Sequence, residues 1–271
     1  MTERAGELSP APILAHATAK LRVAGVPEPR REALRIWRDL AARPEPEFAA
    51  AVERRASGEP LAYVTGQAGF RHLLLRADRR ALIPRPETEQ LAELVLRVAP
   101  AGRVADVGTG TGCIALSLAT EGRYHEVVAI DRSARALSLA RENRAHAGAR
   151  GVSLVRGDLT EALAPASLDA LVANPPYLTD AEWRGLDTSV AQWEPSEALA
   201  SGPDGLRETR RLLADGRRVL RPGGWLALEL DCRRAGRVAR LAAALGWNGV
   251  QVIRDLFGRE RYLLARRSDQ P

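Results

Sequence analysis

Four consecutive residues, Asn174-Pro175-Pro176-Tyr177, directly follow the apolar run 171–173, so a short buried strand delivers a carboxamide, carbonyls and an aromatic ring at its C-terminal end. The Asn174 carboxamide oxygen and the Pro175 carbonyl can each accept one N–H of a planar amide or amino group, and Pro176 adds no competing N–H. The nitrogen lone pair of that group is then free to react. We predict that Asn174, Pro175 and Tyr177 are catalytic and that all four residues bind the substrate, although Tyr177 could also be a packed turn residue.

A glycine-rich turn lies upstream, in the segment Asp106-Val107-Gly108-Thr109-Gly110-Thr111-Gly112. Its glycines close a predicted strand and lead into a helix, so bare backbone and the helix N-terminus can face a nucleotide-bearing cofactor and its carboxylate. The predicted cofactor-binding residues of this turn are Gly108, Thr109, Gly110, Thr111 and Gly112. Together with the NH2-holding turn, the segment predicts transfer of a group onto nitrogen.

Acidic residues follow the next two predicted strands. Asp131 ends one strand, where its carboxylate can accept hydrogen bonds from both hydroxyls of a ribose, and Asp158 follows the next, where it can accept one from an adenine amino group. The same pattern fits NAD, and Asp131 could instead cap the helix that begins near Ser133. The acid Asp106 within the turn and the Gly-x-Gly-x-Gly spacing favour S-adenosylmethionine.

The composition is that of a globular protein with a full core. The 271 residues are 45% hydrophobic, which leaves room for one large domain and one small one. No apolar stretch approaches the length of a membrane helix, and the first residues lack the apolar centre of a signal peptide. We therefore expect a cytoplasmic protein that does not engage a membrane.

Charge and cysteine content give no sign of nucleic acid, disulfide or metal. The net charge is +6. The positive charges are almost all arginines, since Lys20 is the only lysine, and they are interleaved with 34 acidic residues rather than clustered. Cys113 and Cys232 form no CxxC pair, and the four histidines show no metal-binding spacing. We expect no metal, and nucleic acid is not the expected direct substrate.

The pattern of predicted elements changes along the chain. Three helical patterns come first, about Ala11 to Ala24, Arg30 to Ala42 and Glu45 to Ala56. Segments 61–66 and 69–75 suggest a β-hairpin that links two domains. From Pro86 onward strands and helices alternate, which predicts an α/β, doubly wound, Rossmann-like sheet. The predicted strands are Val104–Val107, Val127–Ile130, Val152–Val155, Leu168–Ala173 and Trp225–Leu230, and the predicted helices are Cys113–Thr120, Ala134–Ala147 and Leu206–Leu220. We expect a helical domain with the hairpin in residues 1–80 and a catalytic domain in residues 81–271.

These motifs together resemble the HemK/PrmC family of glutamine methyltransferases, which methylate the glutamine side chain of the Gly-Gly-Gln motif in bacterial peptide chain release factors. The resemblance runs nearly end to end. Beyond the segments above it rests on Arg54-Arg55, Gly58-Glu59-Pro60, Tyr63, Gly66, Ile83-Pro84-Arg85-Pro86-Glu87-Thr88-Glu89, Gly157, Glu194-Pro195, Ala198-Leu199, Gly202-Pro203-Asp204-Gly205-Leu206, Asp255, Gly258 and Arg261.

The resemblance implies methyl transfer from S-adenosylmethionine to release factors. Because one glutamine side chain offers too little area for specificity, we expect the segment Met1–Arg80 to contribute a second contact patch on the release factor. The resemblance also adds Leu159 and Asn174 to the cofactor site. The chain departs from the family pattern at Leu159, where an aromatic ring against the adenine is frequent, at Asp231, where glycine is expected, and at Arg71 or His72, where a hairpin glycine is common.

Three other functions share some of these motifs. The first is amino methylation of a base in RNA or DNA, since such enzymes also carry Asn-Pro-Pro-Tyr; the acid-rich Arg85–Glu89 segment and the lack of a recognisable nucleic-acid-binding appendage argue against it. The second is methylation of a glutamine in a ribosomal protein. The third is a cofactor-binding assembly protein with a dead site, which the presence of Asn174 opposes.

Overall fold

Prolines and glycines set the limits of the helices at the N-terminal end. The computed structural model describes residues 10–40, 45–186 and 192–268, and divides the chain into two compact units, residues 1–66 and 67–271. The first unit contains helices α1 (Pro10–Val23), α2 (Pro29–Asp39), α3 (Glu45–Ala56) and α4 (Leu61–Thr65). The three predicted N-terminal helices are confirmed, except that Ala41 and Ala42 of the second prediction lie outside the described residues.

The helices of the first unit enclose an apolar core of their own. Leu21 and Ile36 are fully buried within it, and Phe48 packs edge-on against Trp37 with ring centroids 5.2 Å apart. An edge-to-face aromatic pair contributes about 0.5–1.5 kcal/mol beyond its buried area. The unit therefore has the interior of a small helical domain.

Segment 61–65 forms a helical turn and is not part of the hairpin expected from the sequence. Pro60 precedes α4, and Gly66 ends it in the left-handed conformation with φ +74°. Proline at the start and glycine just past the end are typical helix boundaries, because proline lacks the N–H that a first turn leaves unpaired and glycine adopts positive φ without strain. Local capping outweighs the β-forming tendency of this short segment.

The hairpin itself begins after Gly66 and belongs to the second unit. Strands β1 (Gln67–Phe70) and β2 (Leu73–Arg76) pair antiparallel, and Phe70 and Leu75 are buried in the core of that unit. The backbone of Arg76 exchanges two hydrogen bonds with the buried Asn143 side chain, at 2.7 and 3.2 Å. The division between units thus falls earlier than the boundary at residue 80 expected from the sequence.

A seven-stranded sheet forms the centre of the second unit, in the order β5-β4-β3-β6-β7-β9-β8. The first five strands in this order pair parallel, whereas β9 lies antiparallel between β7 and β8. The strands are β3 (Ala101–Val107), β4 (Arg123–Asp131), β5 (Val152–Arg156), β6 (Leu168–Ala173), β7 (Leu220–Glu229), β8 (Asn248–Arg254) and β9 (Glu260–Arg266). All five predicted strands are confirmed, and the predicted doubly wound class with them.

Helices cover both faces of this sheet, which explains the apolar runs of its central strands. The helices are α5 (Pro86–Val98), α6 (Cys113–Glu121), α7 (Ala134–Ala147), α8 (Asp180–Arg184), α9 (Arg207–Val219) and α10 (Ala235–Ala244). Along β6, Leu171 and Ala173 enter one core while Ala170 and Val172 enter the other. No helix in the described part of the chain combines the length and apolar character that spanning a membrane requires.

Strand order reverses between β3 and β6, and this reversal positions the site. From β3 the chain steps outward to β4 and β5, then returns to place β6 on the other side of β3. In such sheets ligands bind beyond the carboxyl ends of the strands at the reversal. The loops that follow β3, β4, β5 and β6 therefore lie at the edge of the sheet where a ligand is expected.

Candidate active site

A cleft opens at the carboxyl ends of these strands. It receives backbone from the turn after β3, acids from the ends of β4 and β5, and the turn after β6. Its lining consists of Arg80, Ala81, Leu82, Gly108, Gly110, Asp131, Arg132, Ser133, Ala136, Gly157, Asp158, Leu159, Asn174, Pro176, Pro195, Glu197, Ala198 and Glu208. The structure thus brings together residues from all the segments in which the sequence predicts chemistry.

The glycine turn leaves space that a ligand can fill. Gly108 has φ +74° and Gly110 has φ +55°, conformations that favour glycine. A Cβ added at Gly108 would meet no atom within 4 Å, and one at Gly110 would meet only the Ala81 Cβ at 3.8 Å and the Gly108 carbonyl at 4.0 Å. Bare backbone at this turn therefore leaves room for a ligand group to approach.

Asp106 braces this turn from beneath. Its Oδ2 accepts hydrogen bonds from the Thr109 hydroxyl at 2.6 Å and from the Ala115 amide at 3.1 Å, which ties the turn to the first residues of α6. Oδ1 is buried and has no hydrogen-bond partner among the described residues. Complete burial raises the pKa of this carboxyl to about 7.

Asp131 connects the glycine turn to the start of α7 and does not itself cap that helix. Its Oδ2 accepts a hydrogen bond from the Gly110 amide at 3.0 Å, and its Oδ1 accepts one from the Ser133 amide at 2.9 Å. The helix cap itself is Ser133, whose hydroxyl accepts a hydrogen bond from the Ala136 amide at 3.3 Å. Burial raises the pKa of Asp131. Each oxygen keeps a second lone pair for a ligand hydroxyl, since a carboxylate offers about four acceptor sites.

The next loop contributes a carboxylate and an aliphatic surface. Asp158 Oδ2 accepts a hydrogen bond from the Arg211 guanidinium at 2.7 Å, a partner that the sequence did not indicate. Leu159 adopts φ +49°, unusual for a branched-chain residue. The left-handed backbone at this position holds the leucine at the cleft wall, where it can contact a planar ring.

Asn174 is held by a chain of hydrogen bonds beneath the Asn-Pro-Pro-Tyr turn. Its Nδ2 donates to the Thr88 hydroxyl oxygen at 3.1 Å, and the Thr88 hydroxyl donates to Glu229 Oε2 at 2.8 Å. Thr88 and Glu229 are 3% and 2% exposed. Burial raises the pKa of Glu229 to about 7, while the nearby Arg261 and Arg85 act in the opposite direction. Asn174 Oδ1 accepts no hydrogen bond from the described residues.

The other three residues of the Asn-Pro-Pro-Tyr turn are packed, and the backbone after them is hydrogen bonded. Pro176 lines the cleft, Pro175 is buried, and Tyr177 is largely buried, which raises the pKa of its hydroxyl. The backbone after them is anchored, because the Leu178 amide donates to the Leu199 carbonyl at 2.9 Å and the Ser201 amide donates to the Leu178 carbonyl at 2.8 Å. The loop that carries Pro195, Glu197 and Ala198 is therefore fastened to the Asn-Pro-Pro-Tyr turn.

Several predicted site residues do not line the cleft. Pro175 and Tyr177 lie behind it, and Thr109, Thr111 and Gly112 are buried in the turn that supports it. Thr109 thus acts through Asp106, and an added Cβ at Gly112 would meet the Leu116 side chain at 3.2 Å. Their assignment as ligand-contacting residues stays a prediction.

The structure adds residues to the site for which the sequence predicted no role. Arg80, Ala81 and Leu82 enter the cleft from the loop between β2 and α5, and Glu208 enters from α9. Arg85 donates a 2.7 Å hydrogen bond to the buried carboxylate of Glu194, linking the segment before α5 to the loop that contains Pro195. The prolines and acidic residues of segment 84–89 make it stand out in the sequence, but they do not indicate which residues it contacts.

The arrangement offers groups that can position a ligand by hydrogen bonds. The cleft holds amide, carbonyl and carboxylate acceptors around an aliphatic wall. Among the described residues no group of three or more histidine, cysteine, aspartate or glutamate side chains could hold a metal ion. What the site offers is a fixed set of hydrogen-bond acceptors at the edge of a ligand-sized opening.

Comparison with known proteins places the chain in a family. Residues 87–192 match the family model described as Methyltransferase small domain. A release factor glutamine methyltransferase of Deinococcus radiodurans is 41% identical over 94% of this chain and 98% of its own length, and one of Nitratidesulfovibrio vulgaris is 42% identical over 82% and 77%. A solved methyltransferase from Pyrococcus furiosus has the same fold, with a TM-score of 0.54 and 20% identity over 72% of this chain and 88% of its own. The chain belongs to the release factor glutamine methyltransferase family.

Proposed function

We propose that this protein transfers a methyl group from S-adenosylmethionine to the side-chain amide nitrogen of the glutamine in the Gly-Gly-Gln motif of peptide chain release factors. Family membership supports the reaction, and one observation within the site carries it: the Asn174 carboxamide is tethered through its nitrogen, which leaves the oxygen to accept a hydrogen bond from a substrate N–H. Because the substrate is a translation factor, we place the reaction in the cytoplasm.

The cleft fits S-adenosylmethionine in its chemistry. Gly108 and Gly110 leave room for the methionine part, Asp131 offers carboxylate lone pairs to ribose hydroxyls, and Asp158 and Leu159 offer an acceptor and an aliphatic face to adenine. When bound, S-adenosylmethionine supplies a methyl group already activated by its sulfonium centre. Asn174 borders the same cleft, so we assign it to both the cofactor and the substrate site.

The chain's own residues have a positioning task. An amide nitrogen is a weak nucleophile because its lone pair is delocalised into the carbonyl. We assign Asn174 Oδ1 and the Pro175 carbonyl as acceptors for the two amide hydrogens, which holds the nitrogen in place and favours positive charge that develops on it. Pro176 lines the pocket, and the Tyr177 ring supports it from behind. The nitrogen loses a proton to solvent after alkylation, so the site needs no dedicated base.

Replacement of Asn174 tests the proposal. With methyl-labelled S-adenosylmethionine and a purified release factor, we expect one methyl group on the glutamine of the Gly-Gly-Gln loop, located by mass spectrometry. Asn174→Ala should lower kcat by about 10²-fold or more, the usual effect of removing a group that organises the transition state. Cofactor affinity by calorimetry should change far less. Asn248→Ala, which removes the same carboxamide from an exposed position in β8, is the matched control.

The same experiment decides between the proposal and its alternatives. A glutamine in a ribosomal protein or an amino group on a nucleic-acid base could also enter a pocket that accepts two N–H hydrogens. Label in ribosomal protein, RNA or DNA, with none in the release factor, would overturn the proposal. Nucleic acid is not proposed as substrate, because the family relatives are named for release factors.

We further propose that the first unit provides a second contact with the release factor, since one glutamine side chain offers too little area for specificity. A groove in this unit supports the assignment. It is lined by Arg22, Glu28, Pro29, Arg30, Arg31, Glu32, Leu34, Arg35, Trp37, Arg38 and Leu61. Arg31, Arg35 and Arg38 form ion pairs with Glu28 and Asp39. The exposed Arg22 and Arg30, with apolar side chains beside them, fit an acidic protein surface.

Charge reversal in the full chain tests this contact. The double variant Arg22→Glu, Arg30→Glu changes two exposed side chains and should raise KM for the release factor about tenfold, with cofactor affinity unchanged. Arg141→Glu, on the exposed side of α7, is the control. Deletion through residue 80 is less informative, because it would also remove Phe70 and Leu75 from the core of the second unit. An unchanged KM in the double variant would contradict the docking role.

A further inference from the structure

We propose that Thr88 and Glu229 are positioning residues that fix the orientation of the Asn174 carboxamide and so decide which of its two ends faces the substrate. The inference rests on the proposed function, because it concerns how the same site holds an amide. Neither residue was assigned a role by the sequence motifs, and both lie in the core beneath the turn rather than in the cleft lining.

A carboxamide has two ends of nearly equal size and opposite hydrogen-bonding character. Rotation by 180° about its Cβ–Cγ bond exchanges an acceptor oxygen for an NH2 group with two donors. An acceptor facing the substrate NH2 group binds it, whereas an NH2 group in that place would set donor against donor. The pocket works in only one of the two orientations, and packing alone discriminates poorly between them.

The hydrogen-bond chain from Asn174 to Glu229 favours one orientation of the carboxamide over the other. A carboxylate can only accept, so ionised Glu229 commits the single Thr88 hydroxyl proton to itself, across 2.8 Å. The Thr88 oxygen is then left as an acceptor, and the Asn174 Nδ2 donates to it across 3.1 Å. Because Glu229 accepts from Thr88 and Thr88 accepts from Asn174 Nδ2, the Asn174 NH2 group is held on the side of Thr88. Asn174 Oδ1, a hydrogen-bond acceptor, therefore faces the other way.

The fold brings the three residues together from separate elements. Asn174 follows β6, Glu229 is the last residue of β7, and Thr88 lies in the first turn of α5. The parallel register pairs Ala173 with Leu228, so the residues after them, Asn174 and Glu229, are also neighbours. Burial strengthens such a chain, because little water competes with the hydrogen bonds inside it.

Ionisation of Glu229 gives the chain its direction. Burial raises the pKa of this carboxyl to about 7, and the nearby Glu87 acts in the same direction, whereas the Thr88 hydrogen bond, Arg261 and Arg85 favour the charged form. A protonated Glu229 could instead donate to Thr88 and free the Thr88 hydroxyl to donate to the asparagine oxygen, which reverses the chain. The decisive measurements therefore belong at about pH 8.5, above this pKa.

Thr88→Val is the direct test, since valine keeps the shape and removes the hydroxyl. At saturating substrate we expect kcat to fall about tenfold, the scale of one lost hydrogen bond, with cofactor affinity within about twofold of wild type. Thr88→Ser, which keeps the hydroxyl, should restore most of kcat. Glu229→Gln, a near-isostere that can donate as well as accept, should also lower kcat, and it provides a second variant if valine at position 88 prevents folding.

A double-mutant cycle separates positioning from general packing. If Thr88 and Glu229 act through Asn174, then Thr88→Val and Glu229→Gln should each change kcat by less than about twofold when added to Asn174→Ala. Wild-type kcat in the single variants, or an undiminished loss in the Asn174→Ala background, would overturn the inference. Failure of the proposed function looks different: the wild-type protein itself would then leave the release factor unmethylated.

Discussion

Gly205 is the position at which one added methyl group should disturb the Asn-Pro-Pro-Tyr turn from behind. It adopts φ +70°, and a Cβ built there would lie 2.4 Å from the carbonyl oxygen of Tyr177 and 3.2 Å from its carbonyl carbon. Real Cβ atoms essentially never come within 3.0 Å of another atom. Gly205→Ala must therefore move the Tyr177 backbone by roughly half an ångström or more, and this backbone belongs to the turn that we propose holds the substrate amide.

Two effects of the substitution can be worked out separately. The left-handed conformation costs an alanine about 1 kcal/mol, and overpacking against backbone adds about 1–3 kcal/mol. Gly148→Ala isolates the first effect, because Gly148 has φ +65° and open space around its Cβ position. We expect the free energy of unfolding to fall by about 1 kcal/mol in the control and by about 2–4 kcal/mol in Gly205→Ala.

The two alanine variants should also differ in kcat. A displacement approaching 1 Å in a positioning site can cost about 10²-fold in rate, so kcat of Gly205→Ala should fall by about one to two orders of magnitude while Gly148→Ala keeps wild-type kcat. Urea unfolding gives the stabilities, and single-turnover methylation of the release factor gives the rates. Equal kcat in the two alanine variants would refute the idea that the close contact between Gly205 and Tyr177 sets the geometry of the turn.

Three further predictions concern ionisable groups of the second unit. Asp131→Ala should weaken S-adenosylmethionine binding by about 1.5–3 kcal/mol, the contribution of hydrogen bonds to a charged group, and calorimetry showing wild-type affinity would contradict its role. Asp106 has a pKa raised to about 7 in the fold against 3.8 for an ordinary aspartate, so the stability it confers is complete below about pH 4 and is lost as the pH rises toward 7. Asp106→Asn should accordingly gain stability relative to wild type between pH 4.5 and 7.5, by at most about 1.4 kcal/mol per pH unit; a constant difference in urea unfolding would exclude this. Burial raises the pKa of the Cys113 thiol to about 12, so at pH 8 iodoacetamide should label Cys113 only after unfolding, whereas the partly exposed Cys232 should react in the folded protein.

The five parallel strands could be predicted from the sequence because each is a short apolar run between turn-forming residues. The carboxyl ends of these strands located Gly108, Asp131, Asp158 and Asn174 correctly at one cleft. Hairpin β8–β9 was not predicted, although β8 ends at Arg254 and β9 begins soon after it, at Glu260. β8 lies at the sheet edge, where polar and apolar residues mix, so its sequence lacks the apolar run that marks the central strands.

The supporting residues of the site were harder to predict than the residues that line it. Thr88 and Glu229 are separated by 141 positions and meet only because α5 packs beneath the ends of β6 and β7. The sequence placed Thr88 in a quoted motif and Glu229 in a predicted strand, but it could not pair them. Arg71 is a contrasting case: its φ of +51° explains in hindsight why glycine is common at this hairpin position, and its guanidinium hydrogen bonds with Glu121 and Glu93 accompany that backbone shape.

The strand order of the sheet also constrains the sequence of events when the chain is synthesised. β8 touches the sheet only through β9, so it cannot join when it emerges and must wait for the later strand. Until the β8–β9 hairpin has formed and docked, β7 presents an unpaired edge that includes Leu226 and Leu228, both fully buried in the finished fold. An open apolar edge is a template for pairing with other chains. The nascent protein should therefore be most prone to aggregation, and most dependent on chaperones, in the interval between synthesis of β7 and synthesis of β9.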